Sequence, residues 1–187
     1  MELWLARHGA TEWSESGRHT GRTDLPLLPA GEARARELGT IVAGREFTSV
    51  FTSPLRRAEQ TAELAGFAGA ERTDLLREFD YGDYEGLTSA QIEELNPGWQ
   101  LFRDGCPGGE SPDQVLARAT SFTELAAARG GRVLAFAHGH VLRAVAVAWL
   151  GLGTGAAGLL ELDTATLSIL VDGSRGRQLR LWNGLPM

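Results

Sequence analysis

The chain has 187 residues, 43% of them hydrophobic and five of them tryptophan, enough to bury one substantial core without help from metals or disulfides. A formal net charge of -6 gives nucleic acid no broad electrostatic reason to bind, and a single cysteine, Cys106, excludes an intrachain disulfide framework and fits a reducing compartment. The N-terminus carries no basic region and its first apolar run stops at Arg7, which predicts no signal peptide and no spanning helix, hence no membrane partner and a soluble cytoplasmic protein.

Residues 2 to 7 predict a first strand that runs into Arg7-His8-Gly9, followed by a polar, glycine-punctuated loop over residues 10 to 28. Pro29-Ala30-Gly31-Glu32 opens an Ala/Arg/Glu-rich helix to about Gly44, with Pro29 in its first turn. Val50-Phe51-Thr52 makes a second buried strand. Ser53 is read as the cap and Pro54 as the first residue of a helix running through Leu64. Leu75 to Gly86 is a compact charged and aromatic stretch, Ser89 to Leu95 a further helix, and Asp104 to Glu110 a long breaker. Ser111-Pro112 starts a helix that ends near Gly130-Gly131, residues 132 to 137 form a strand, and Val141 to Leu150 reads as an apolar helix. Beyond the glycine-rich Gly151 to Gly158 loop, residues 159 to 171 and 177 to 182 predict a closing hairpin around Asp172-Gly173. Strands alternating with amphipathic helices argue for a single α/β domain over residues 1 to 187, a three-layer α/β/α sandwich with a mostly parallel central sheet.

Three of the four histidines, His8, His138 and His140, stand at the C-terminal ends of predicted buried strands, where open parallel sheets place ligands and catalytic groups. An imidazole with an ordinary pKa near ~6.5 offers a nucleophilic nitrogen around neutral pH. Arg7 beside His8 is placed to hold an anion, and the pair Arg56-Arg57 follows the second strand near a helix start. Such groups suit phosphoryl transfer if they converge; Arg56 and Arg57 otherwise cover a solvent-facing helix.

Several blocks in order carry a family resemblance: Arg7-His8-Gly9-Ala10-Thr11 through Trp13-Ser14, Gly17 to Leu27, Ser53-Pro54-Leu55-Arg56-Arg57-Ala58, Arg77 to Gly86, Asp104 to Ser111, and Ala137-His138-Gly139-His140. Together they resemble the histidine phosphatase superfamily, the phosphoglycerate mutase-like family, and within it the short bacterial acid phosphatases and the sedoheptulose-1,7-bisphosphatase-like branch. The resemblance implies the phosphoglycerate mutase-like fold and a metal-independent phosphomonoesterase that needs no cofactor. It implies His8 as the nucleophile that becomes phosphohistidine, Arg7, Arg56 and His138 as the phosphate pocket, and Glu78 as general acid and base. It further places Ser14, Thr20, Gly21 and Tyr81 at the substrate mouth. The substrate expected is a small phosphorylated metabolite, a sugar phosphate or phosphoglycerate, and family analogy is compatible with a homodimer.

The remaining candidates carry weaker expectations. Glu85 orients loops or assists the acid, Arg18 and Arg22 contact a second anionic group or stay in exposed loops, and His140 lines the pocket or caps the following helix. His19 is read as surface or loop packing, and Cys106, with no histidine beside it, as structural rather than nucleophilic. Phosphoglycerate mutases of this family carry an inserted basic lid, whereas Gly86 to Gly131 is short here and offers Arg103, Arg118 and Arg129, which favours hydrolysis. Mutase activity and a noncatalytic phosphate-binding protein are the alternatives.

Overall fold

Successive residues of a strand face opposite sides of a sheet, so an unbroken apolar run needs a core on each side. In the first strand, β1 (Glu2–Arg7), Leu3 and Leu5 pack into one buried cluster while Trp4 and Ala6 pack into another. The same division holds in the strand Arg132–Ala137, where Val133, Ala135 and Ala137 face the first cluster and Leu134 and Phe136 the second. The computed structural model, which describes residues 1–184, thus has a sheet covered on both faces, an α/β fold of three layers.

The other strands are β2 (Ser49–Thr52), β3 (Glu71–Arg72), β5 (Leu167–Gly173) and β6 (Gly176–Gly184), with Arg132–Ala137 as β4. Their order is β3-β2-β4-β1-β5-β6; the first four run parallel, β5 is antiparallel to β1, and β6 is antiparallel to β5. The helices are α1 (Glu12–Glu15), α2 (Pro29–Val42), α3 (Arg56–Leu64), α4 (Ser89–Leu95), α5 (Leu101–Asp104), α6 (Pro112–Arg129) and α7 (Gly139–Leu150). Leu38 and Val42 of α2 and Ala62 of α3 cover one face; Val115, Ala119, Phe122 and Ala126 of α6 and the apolar α7 cover the other. Among the described residues no helix is long and apolar enough to cross a membrane.

Most differences from the sequence reading have local causes. The helix expected from Pro54 begins at Arg56 with Leu55 as its N-cap, and the Ser53 hydroxyl accepts from the Leu55 N–H at 3.3 Å as well as meeting a histidine. α7 begins at Gly139, two residues earlier than expected. Residues 159 to 166 are not strand: Thr154–Leu159 is a 3-10 turn, and the closing hairpin turns at Ser174-Arg175, with Asp172 and Gly173 still paired in the ladder. The short helix α1 lies in a segment read as loop, and α5 ends where the breaker was expected to begin, at Asp104. Thr11 and Ser14 start α1 with a reciprocal capping box, a signal with serine where Glu or Gln is usual.

Candidate active site

Parallel pairing of β1 with β4 brings Arg7 level with Ala137, so the next residues, His8 and His138, emerge side by side with ring centroids 5.2 Å apart. Both rings are buried. Burial, reinforced by the positive charge of Arg57, holds both imidazoles well below the ordinary 6.5. The hydrogen bonds fix which nitrogen carries the proton. His8 Nδ1 lies 2.7 Å from the carbonyl oxygen of Gly9, which can only accept, so Nδ1 is protonated and Nε2 keeps its lone pair. His138 has the opposite tautomer: its Nδ1 accepts from Arg57 Nε at 3.0 Å, and its Nε2 donates to Ser53 Oγ at 2.7 Å.

Arg57, not Arg56, is the arginine of α3 that enters this network, correcting the sequence expectation. Arg56 is exposed, its backbone N–H donating to Asp24 Oδ1 at 2.7 Å, whereas Arg57 is fully buried. Helical phase explains the choice, since Arg57 precedes the buried Thr61 by four residues while Arg56 sits above Glu59 and Gln60 on the outer face. Beyond His138, the Arg57 guanidinium donates to the carbonyls of Thr23, Thr20 and Gly21 at 3.0, 2.8 and 3.2 Å. Burial lowers its pKa, but a guanidinium remains charged at neutral pH.

The cleft in front of His8 has a volume near 200 Å³ and is walled by Arg7, Glu78, Tyr81, His19, His140 and Arg143, with Ser14, Arg18 and Thr20 at its mouth. Arg57, His138 and Ser53 stand behind this wall. Arg7 donates through Nη1 to the carbonyl of Leu162, and its buried Nε has no partner among the described residues. Glu78 is buried at the start of α7: Oε1 accepts from the backbone N–H of Phe79 and of Val141, both at 2.8 Å, and Oε2 from that of His140 at 3.0 Å.

Two loops interlock to present Glu78. A Cβ on Gly82, whose φ is +51°, would lie 2.2 Å from the carbonyl oxygen of Pro107, and one on Gly109 would lie 2.2 Å from that of Asp80. Glu110 bonds Asp80 through backbone and side chain, and Arg118 of α6 clamps Glu110 at 3.0 and 2.8 Å while reaching the carbonyls of Leu75 and Arg77. Cys106 in this loop is buried, its thiol pushed up to about 12 by burial and the nearby Asp80 and Glu110, so it is no nucleophile.

The mouth residues divide. Ser14 and Thr20 line the cleft, although the Ser14 hydroxyl is also engaged with Thr11. Gly21 does not line it, contrary to expectation. A Cβ there would meet the carbonyl oxygen of Phe79 at 2.6 Å, and its N–H bonds the Glu85 carboxylate, which also accepts from Thr23; Gly21 and Glu85 fix the loop. Arg22 pairs with Asp80 outside the cleft, and Arg18 rests over Trp13 at its rim. His19, read as surface or loop packing, is buried and faces the cleft. Arg143 was not singled out at all, yet it is the lone charged residue of α7 and lies one turn beyond His140, with its guanidinium 5.0 Å from the Phe102 ring centre. That isolated charge in an apolar helix was the signal. Among the described residues no three or more His, Cys, Asp or Glu side chains gather as a metal site.

A neutral histidine with a free nitrogen, set among cations at the carboxyl edge of a parallel sheet, defines an α/β protein equipped to handle an oxyanion. The chain belongs to the histidine phosphatase superfamily, branch 1, whose family pattern matches residues 3–184. It is 43% identical over 171 residues to an acid phosphatase of Mycobacterium tuberculosis, spanning 89% of this chain and 84% of the relative. It is 38% identical over 182 residues to the sedoheptulose 1,7-bisphosphatase of Saccharomyces cerevisiae, spanning 80% of this chain and 67% of the relative. The solved structure of a mycobacterial glucosyl-3-phosphoglycerate phosphatase in complex with VO3 superposes with a TM-score of 0.87 at 30% identity, covering 98% of each chain.

Proposed function

We propose that the protein is a phosphomonoester hydrolase acting on small phosphorylated metabolites, sugar phosphates or phosphoglycerates, through a phosphohistidine at His8. The observation that carries this reading is the free Nε2 of His8, kept unprotonated by the Nδ1 bond to Gly9 and by burial, and directed at a cleft with Arg7 in its wall. The Nε2 lone pair attacks phosphorus while the bond to the leaving oxygen breaks, and a proton on Glu78 passes to that oxygen. The Glu78 carboxylate then takes a proton from water as the water oxygen attacks phosphorus and the P–N bond breaks, which restores both groups. Arg7 neutralises the phosphoryl oxygens, and Arg57 and His138 support them from behind, with Arg57 taking the part that the sequence assigned to Arg56. No step calls for a metal. The phosphatase names borne by the relatives support hydrolysis, and the sugar and glycerate phosphates in two of those names support the substrate class.

The test is phosphate release without added metal from 3-phosphoglycerate, fructose and sedoheptulose bisphosphates and phosphotyrosine, beside His8→Ala. The expected result is selective release that His8→Ala reduces at least about a thousandfold, with an acid-labile phosphoprotein trapped on quenching. Interconversion of phosphoglycerates with little free phosphate would make the protein a mutase, and binding without turnover would make it a phosphate-binding protein; either overturns the proposal.

A further inference from the structure

Behind Glu78 the cleft floor is an aromatic stack that the phosphoryl chemistry does not use. His19 and His140 lie parallel, 4° apart in plane with centroids at 5.9 Å, and Tyr81 meets both edge-on at 4.8 and 5.7 Å. Trp99 and Phe102 close the far side against His19 and His140 respectively. Each histidine has its Nδ1 occupied: that of His19 donates to the carbonyl of Leu87 at 2.9 Å, and that of His140 shares a hydrogen bond with the Tyr81 hydroxyl. Neither Nε2 has a partner among the described residues, and neither is sealed from the cavity. Burial lowers the pKa of both rings, so they are neutral at neutral pH.

We infer that His19 and His140 recognise hydroxyl groups on the leaving half of the substrate, so that this cleft selects phosphate esters of polyols over those of plain alkyl or aryl alcohols. This rests on the phosphatase reading above. Because a carbonyl holds the proton of His19 on Nδ1, its Nε2 is an acceptor for a hydroxyl hydrogen. Tyr81, whose phenol burial keeps protonated, can donate to or accept from His140 Nδ1, so the Nε2 of His140 meets a hydroxyl as donor or as acceptor according to the direction of that bond. A fixed acceptor beside a second imidazole nitrogen on one wall matches an alcohol group, which both donates and accepts. A phosphoryl oxygen, which only accepts, is matched instead by the arginines. Both rings line the same cleft as His8 and Glu78, which places them beside the alcohol that departs when Glu78 supplies its proton. A second cavity shares His19, His140 and Arg143 with this cleft and is also lined by Trp99 and Phe102.

The test uses substrates that differ in hydroxyls and little else: glycerol 3-phosphate against n-propyl phosphate, and sorbitol 6-phosphate against n-hexyl phosphate. The wild type is expected to favour the polyol ester by about a hundredfold in kcat/KM, since a polar site left unpaired discriminates strongly. His19→Phe, which keeps an aromatic ring in the stack, is expected to reduce that ratio to within about threefold of unity, mostly through KM, and His19→Gln to restore part of it. Equal rates on both members of each pair in the wild type, or a loss in His19→Phe that falls equally on both, would overturn the inference while leaving the phosphatase intact. Absence of His8-dependent phosphate release from every ester, p-nitrophenyl phosphate included, would instead overturn the phosphatase reading itself.

Discussion

The two ends of the central sheet handle charge in opposite ways. At the amino end, Glu2 lies between Arg132, 2.8 Å away, and Arg180, and these partners hold its carboxyl down at about 2. Each of these three charges has an opposite charge beside it. At the carboxyl end, Arg7 and Arg57 are held by carbonyl oxygens and a neutral imidazole, and among the described residues neither has a carboxylate partner. Glu78, the acid in that wall, is spent on backbone N–H groups instead. A charge cancelled by its neighbour serves the fold, whereas a charge held by dipoles still has its full field to offer an incoming oxyanion.

The sharpest way to break this comparison is to remove one uncancelled cation. Arg57→Ala, which removes the buried cation behind His138, is expected to lower kcat/KM by about 10²–10³, while the exposed neighbour Arg56→Ala stays within about threefold. Equal losses in the two variants would mean that the buried network has no functional weight. A smaller, substrate-dependent effect is expected for Glu78→Gln. It should cost about a hundredfold on alkyl phosphates and less than about tenfold on p-nitrophenyl phosphate, whose leaving group departs without a proton. A uniform loss across leaving groups would remove Glu78 from the acid role.

The smallest effect lies in stability and sharpens the contrast between the ends. His8, His19, His138 and His140 all have folded pKa values below the unfolded value near ~6.5, so the unfolded chain binds more protons below that pH. Their contribution is therefore complete above about pH 6.5 and is lost as pH falls beneath it. Glu2, depressed from 4.5 to about 2, contributes above pH 4.5 and loses that contribution as pH falls toward 2. Thermal melts from pH 8 to 3 should show a first decline starting near ~6.5 and a second below ~4.5. Glu2→Gln should reduce only the second, at a cost near neutrality of less than about 1 kcal/mol because its ion pairs face solvent. A single decline, unchanged in Glu2→Gln, would contradict the division.

Much of this was legible in the residues. The apolar runs Leu3–Ala6 and Val133–Ala137 marked buried strands and put His8 and His138 each at a strand's carboxyl end; the parallel pairing of those strands is what brings the two together. Adjacent residues separate less easily. Arg56 and Arg57 have the same chemistry and differ by about 100° of helical phase, so the choice required carrying the buried Ala58, Thr61 and Ala62 positions back to the helix start. His19 was hidden for another reason: its loop has no periodicity, and its burial comes from Tyr81, Trp99 and His140, distant in sequence. Gly21 was read as a contact to ligand, although its missing side chain makes room for Phe79 and Glu85.

The backbone contact between Gly82 and Gly109 also bears on how such a protein can change its diet. Residues 78 to 84 and 104 to 110 fit like two halves of a clasp, with no side-chain layer between them to absorb a mismatch. In a recombination library the two segments would have to travel together, since either one grafted alone meets the wrong partner. Variation that leaves the clasp closed is confined to residues that point into the cleft, such as His19, Trp99 and Arg143. New preferences would then arise by exchanging single side chains on a fixed frame rather than by reshaping the loop that holds the acid.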